Sequence, residues 1–416
     1  MLLSDFLAAE WKPALGCTEP AAVAWAAALA AGTATGEIRA VRLVCDPRIY
    51  KNCYAVWLPN SNHKTGILWA LAIGANLEDA SLGLKVFEAT TEASLLGAQA
   101  LLDRHGVSVD VDSQRSELYI DLTVVREGGT GRAVIERDHT NLVRLESNGR
   151  LIQERPAGDR VSASSSIRAQ IAGMSIQEVM DLARSLSPAD RKAIRLGVDF
   201  NLEIARLGAS LLPEPFLRLH EADGRSRAVR QVGAGVAARM SGVSQTVMTL
   251  AGSGNKGITV SLPVWLWGQE AGHAEDRIEE ALAFAFLMTS VTTHHLGTLS
   301  AACGSAIAAG AGIAAGVVLL EGGSGHEAGL AVSSVVGTLA GMICDGAKVG
   351  CAMKTSTGVE SAFRAADFAL SGHGIPESNG IVGKDGATSL LYLGLVVTKG
   401  MANVDAEILD IMQRKL

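Results

Sequence analysis

From Ala301 to Leu320 the chain runs for twenty residues without a charge. That is long enough to cross a bilayer as a helix. Its composition argues otherwise, because Ala and Gly dominate and insertion depends on Leu, Ile, Phe and Val. There is no Trp or Tyr belt and no flanking Lys or Arg. The segment is therefore expected to be a helix buried on every side within a soluble domain. A small-molecule membrane carrier is the competing reading, and it would be built around the same apolar residues.

Three of the six cysteines, Cys303, Cys344 and Cys351, stand in or beyond this run, each with Gly or Ala around it. Small neighbours let the backbone come close to a bulky inorganic group. Three converging thiolates could hold an iron–sulfur cluster and leave one iron free for a substrate. Buried cysteines also serve simply as small hydrophobes, and Cys-x40-Cys-x6-Cys is no general metal signature. On an unbroken helix the Cα atoms of Cys344 and Cys351 would lie about 10 Å apart, which is wide for one cluster. Gly346 and Gly350 are thus expected to break the helix into a loop.

At 416 residues the chain can bury a large core and is expected to form two domains. An α+β N-terminal domain, residues 1–160, would pack on a larger, mostly helical domain, residues 161–416. The polar, turn-rich stretch from Pro156 to Ser166 marks the boundary. Net charge is −7 with no basic run, so nucleic acid is not an expected partner. The opening MLLSDFLAAEW carries Asp5 and no basic n-region, so it does not read as a signal peptide. The cysteines are then expected as thiols or metal ligands in the cytoplasm. Oligomeric state stays open, a homo-oligomer included.

Residues 2–10 have the pattern of a short amphipathic helix. An Ala-rich run follows Pro20, so a second helix is expected to begin at Thr18–Pro20. Cys17 would lie just before its N-terminus, where the positive dipole end lowers a thiol pKa. Cys45 and Cys53 sit in apparent strands, Ile38–Cys45 and Cys53–Leu58, and are read as packing residues. Between them, Lys51 and Asn52 offer a cation and an amide suited to an amino-acid carboxylate; a solvated turn is the other reading. Leu118–Val125, Arg132–Glu136 and Leu142–Leu145 read as strands, with Asn148-Gly149 as a hairpin turn. His139, between two of these strands, is read as structural. Beyond Ser166 the pattern is helical.

Gly252 to Gly257 satisfies G-x-G-x-x-G, but a dinucleotide fingerprint must be followed by a helix. Ile258–Pro263 looks β-like and ends in proline, so that reading fails. A Gly-rich turn still offers backbone N–H groups to an anion. It is assigned, through Ser253 and Asn255, to a substrate carboxylate.

Four blocks carry a resemblance. They are Gly16-Cys17-Thr18-Glu19-Pro20, Ala251-Gly252-Ser253-Gly254-Asn255, Leu299 to Gly304, and Gly341 to Lys354. In this order they resemble the iron–sulfur L-serine dehydratase alpha chain, and more closely the related single-chain L-cysteine desulfidase. The resemblance spans residues 16–354, nearly the whole chain. It implies that Cys303, Cys344 and Cys351 ligate a [4Fe–4S] cluster and that Cys17 acts in proton transfer. It also implies substrate contacts from Thr18, Glu19, Lys51, Asn52, Ser253 and Asn255. The family commonly has histidine where this chain has Lys256, and a basic residue near His294-His295; these three stay unassigned.

The implied reaction takes a small amino acid, L-cysteine or L-serine, to pyruvate and ammonia. It needs loss of the Cα proton and departure of the β-substituent. An open iron can act as Lewis acid on that substituent while a positioned base takes the proton. Pyridoxal phosphate on Lys256 would reach the same products, but would leave the three cysteines unexplained.

Overall fold

The computed structural model describes residues 2–156, 162–212 and 223–415. Leu3, Phe6 and Leu7 recur at helical spacing, and α1 (Leu3–Glu10) buries them. β1 (Lys12–Leu15) follows. The Ala-rich run becomes α2 (Thr18–Ala31), as expected of the strongest helix former. β2 (Ile38–Cys45) is the strand its sequence suggests. Cys53, however, ends a helix, α3 (Pro47–Cys53), and opens no strand. The Asp46 carboxylate accepts from the Arg48 and Ile49 amides at 2.8 and 3.2 Å, and Pro47 suits the first turn. That start signal outweighs the apolar run behind it.

After α4 (Ile67–Ala75) and α5 (Glu92–Asp103) come β3 (Val107–Val111), β4 (Tyr119–Arg126), β5 (Gly129–Glu136), β6 (Leu142–Ser147) and β7 (Arg150–Glu154). With β2 they form a six-stranded sheet in the order β3-β2-β4-β5-β6-β7. Only β2 and β3 run parallel. Asn148 and Gly149 both take positive φ, 51° and 74°, as a two-residue type I′ hairpin turn requires. α2 lies directly against the sheet: a Cβ on Gly131 of β5 would sit 1.9 Å from the Ala30 carbonyl oxygen.

Among the described residues the remainder is helical apart from one short strand. Its elements are α6 (Ala163–Ala172), α7 (Ile176–Ala183), α8 (Pro188–Gly208), α9 (Gly224–Met240), β8 (Thr246–Thr249), α10 (Gly254–Glu270), α11 (Glu275–Leu296), α12 (Gly304–Leu320), α13 (Gly325–Leu339), α14 (Cys351–Leu370), α15 (Gly386–Leu395) and α16 (Val404–Gln413). The fold class is α+β. The uncharged run is α12, buried from Ala306 to Leu320. Its small residues let neighbouring helices approach at backbone distance. A Cβ on Gly312 would lie 2.4 Å from the Ala285 carbonyl of α11, and one on Gly358 of α14 would lie 2.8 Å from that of Ala306. Among the described residues no single helix is long and apolar enough to cross a membrane. One pair bent by 50°, Gly386–Gly400 with Val404–Gln413, meets that length and composition together.

Ile258–Pro263 is not β-like in the fold. It lies within α10, with Pro263 inside the helix and every residue from Gly254 to Trp265 buried; tertiary packing overrides the local β preference. A helix thus does follow the Gly-rich turn. The dinucleotide reading fails on topology instead, because among the described residues β8 pairs only with β1, antiparallel, and forms no parallel βαβ unit.

The apolar interior forms two large clusters. One joins α2, α4 and the sheet; the other gathers the helices from α6 onward. Leu3, Phe6, Leu7 and Trp11 belong to the second. Trp11 stacks on Phe286 at 4.4 Å and donates through its indole N–H to the Ala193 carbonyl at 3.1 Å. The expected boundary between Pro156 and Ser166 falls partly on residues 157–161, outside the described residues.

Candidate active site

Four helix N-termini meet at one cavity. Cys17 caps α2, Ser253 caps α10, Cys303 caps α12, and Cys351 opens α14. All four residues line the cavity, together with Glu19, Asn52, Arg239, Asn255, Lys256, Thr293 and Cys344. Each helix start brings unpaired backbone N–H groups and a partial positive charge. Such a cavity favours anions.

The three late cysteines occupy one side. Met342 accepts a hydrogen bond from the Cys303 amide at 2.8 Å, and Ala301 accepts one from the Cys344 amide at 2.7 Å. This two-rung pairing, centred on Ala302 and Ile343, fixes the backbone of two of the three cysteines diagonally across the bridge. Cys344 and Cys351 are separated by a loop, as expected, from the end of α13 to the start of α14. Gly346, at φ 96°, makes the turn, while Gly350 is in the ordinary helical region. A Cβ on Gly346 would sit 2.5 Å from the Lys51 carbonyl. Burial, then the Cys344 and Cys351 charges, push the Cys303 thiol up to about 12; burial also raises Cys351. The trio therefore crowds enough charge to need a cation if all three ionise.

Among the described residues no three His, Cys, Asp or Glu side chains are gathered on a single-ion site. A cluster makes a different demand, since each thiolate binds a separate iron. An all-sulfur donor set at two helix N-termini, with Lys348 and Lys354 close by and paired to Asp345, fits an anionic iron–sulfur group.

The same cavity holds acid–base groups. The Cys17 thiol donates to Glu19 Oε2 at 2.9 Å, and the Thr18 hydroxyl donates to the same oxygen at 3.0 Å. Asn52 donates to Glu19 Oε1 at 3.4 Å, with His139 Nε2 3.8 Å from that atom. Burial alone would raise the Glu19 carboxyl, but His139, Cys17 and Arg239 outweigh it and hold it at about 2. Cys17 goes the other way from expectation. Burial and then the Glu19 charge raise its thiol well above the usual range, so the helix dipole does not win and the thiol keeps its proton. Lys256 donates to the Ala251 carbonyl at 3.0 Å and to Thr293 Oγ1 at 3.2 Å. Burial, then Arg168, lower its amine to about 7.

Not every expected residue arrives. Lys51 is fully buried but points elsewhere, donating to the Cys344 carbonyl at 2.6 Å and pairing with Asp405. It is a loop anchor, with no charge left over for a carboxylate. Thr18 serves Glu19, and Asn255 accepts from Arg239 Nη1 at 2.9 Å. Cys45 and Cys53 are buried away from the cavity. His294 and His295 face a neighbouring cleft with Arg168 and Arg137. Two residues at the site escaped sequence reasoning. His139 reaches it from the sheet, and Arg239 was legible only as a charge in the otherwise small and apolar run Gly233 to Met240.

A profile described as serine dehydratase alpha chain matches residues 112–410. The chain belongs to the serine dehydratase alpha-chain family. The matched span contains Cys303, Cys344, Cys351, Arg239 and Lys256, while Cys17, Glu19 and Asn52 lie ahead of it. Over the full length, the chain is 37% identical to a UPF0597 protein of Geobacter sulfurreducens, covering 99% of this chain and 98% of that one. It is 34% identical to a UPF0597 protein of Caldanaerobacter subterraneus, covering 100% and 99%. A third, from Desulfotalea psychrophila, is 33% identical over 97% of this chain and 96% of its own. Membership in the serine dehydratase family points to a lyase.

Proposed function

We propose that this chain is an iron–sulfur lyase that removes the β-substituent of a small amino acid. The substrate is L-serine, giving pyruvate and ammonia, or L-cysteine, giving hydrogen sulfide as well. The observation that carries this reading is one cavity lined by three thiols and by two further proton-carrying groups, Cys17 and Lys256, pushed in opposite directions. Such divergence is how an acid and a base are told apart.

Cys303, Cys344 and Cys351 would hold the [4Fe–4S] cluster. When bound, such a group supplies an open iron as Lewis acid for the departing β-oxygen or β-sulfur. The remaining work falls to the chain. Lys256, with its amine brought near neutrality, is suited to take the Cα proton at Nζ. Cys17 keeps its proton at Sγ and can give it to a departing hydroxide, while Glu19 stays ionised beside it. The buried wall excludes bulk water from both transfers. With all six cysteines free, a reducing cytoplasm suits the site.

Anaerobic purification tests this, with iron and sulfide analysis and pyruvate assays on both amino acids. About four irons and four sulfides per chain, and activity lost on chelation, are the expected results. Activity that survives complete iron removal and depends on pyridoxal phosphate would overturn the reading in favour of chemistry on Lys256.

A further inference from the structure

Arg239 is 2% exposed. Its Nη1 donates to Asn255, yet Nε and Nη2 have no partner among the described residues. Those two nitrogens form one edge of the guanidinium, the edge that matches a carboxylate oxygen for oxygen. This chain uses that edge for carboxylates elsewhere. Arg168 grips Glu10 with Nε and Nη2 at 2.8 and 2.9 Å, and Arg132 grips Asp121 with the same pair, both at 2.7 Å. Burying a guanidinium with two idle donors is costly unless something pairs with them. No carboxylate of the chain is within ion-pair distance among the described residues; Glu19 makes its contact with His139 instead.

The surroundings are shaped for a small anion. Gly254, the first residue of α10, packs against the guanidinium beside that edge: a Cβ there would lie 2.4 Å from Nε, 2.6 Å from Cζ and 2.8 Å from Nη2. The first-turn N–H groups of α10 start at the same place, that of Lys256 already held by the Ser253 hydroxyl at 3.4 Å. Glu19 lines the same cavity, adding a fixed negative charge to the guanidinium. A guanidinium with a carboxylate in the same cavity suits a zwitterion better than a phosphate dianion, which Glu19 would repel.

We propose that Arg239 is the residue that binds the substrate's α-carboxylate, so that the cavity selects free α-amino acids over their amides, esters and amino alcohols. This rests on the site assigned above but not on its iron chemistry.

The test is binding of L-alanine, which has no β leaving group, to the anaerobically prepared holoprotein by calorimetry, with L-alaninol as the probe lacking the carboxylate. L-Alanine should bind and L-alaninol should not. Arg239→Gln should weaken L-alanine binding about 100-fold or more, and Arg239→Lys less, because it keeps charge without the fork. In turnover, KM should rise while kcat changes little. Gly254→Ala provides a second variant that keeps the Arg239 side chain but forces its guanidinium to move, because an added methyl would overlap it. The displaced fork should weaken binding with unchanged iron content and circular dichroism. Binding of L-alanine within about 3-fold of wild type in both variants, or equal binding of L-alaninol, overturns the inference. Wild-type elimination with those outcomes sinks this inference alone. L-Alanine bound through Arg239 without iron or elimination sinks the lyase reading alone.

Discussion

At the scale of single residues the site turns on Cys17 and Glu19, two positions apart. The Gly-Cys-Thr-Glu-Pro block made the helix start at Thr18 legible. The protonation state was not legible, because it depends on burial and on a carboxylate folded back to 2.9 Å. A protonated thiol helps only a leaving group more basic than itself. Hydroxide is such a group, whereas hydrosulfide leaves as a stable anion. Cys17→Ala should therefore keep full iron content and lower kcat on L-serine about 100-fold, with a smaller loss on L-cysteine. Equal losses on both substrates, measured by pyruvate release, would remove Cys17 from the protonation step. Arg239 stayed hidden for a related reason. Nothing in a sequence distinguishes a buried arginine with a partner from one without.

At the scale of elements, α16 acts on loops far from it in sequence. Asp405 pairs with Arg48 Nε at 2.8 Å and also with Lys51, both from α3. Arg48 in turn donates to the Leu299 carbonyl at 2.9 Å, and Lys51 to that of Cys344. One carboxylate thus steadies both cysteine-bearing loops. Asp405→Asn leaves two cations short of a counter-charge, a loss of about 3–5 kcal/mol for a buried pair. We expect a lower midpoint in urea, and faster reaction of Cys344 with a thiol reagent in iron-free protein. An unchanged reaction rate would mean that the loop holds itself. The loop break between Cys344 and Cys351 was legible from its glycines. Helices α3 and the middle of α10 were not. The first was masked by an apolar stretch after Cys53, and the second by β-branched residues and Pro263 that only full burial makes tolerable.

For the whole molecule, the α+β class and the helical second half followed from periodicity, whereas the place of α1 did not. Glu10, at its end, forms a two-pronged pair with Arg168, their side chains 0% and 4% exposed. Glu10→Gln should cost about 3–5 kcal/mol, read as a lower urea midpoint. The double variant with Arg168→Met should recover part of the loss, and no recovery would show that packing rather than charge is at stake. This arrangement also bears on how the chain is made. Leu3, Phe6, Leu7 and Trp11 leave the ribosome well before the contacts that cover or anchor this segment, which come from Ser164, Arg168, Ala193 and Phe286. At about 5–20 residues per second, the roughly 150 residues between are about 8–30 s of synthesis. Through that interval the apolar face of α1 waits uncovered, and a nascent-chain chaperone would find a grip there.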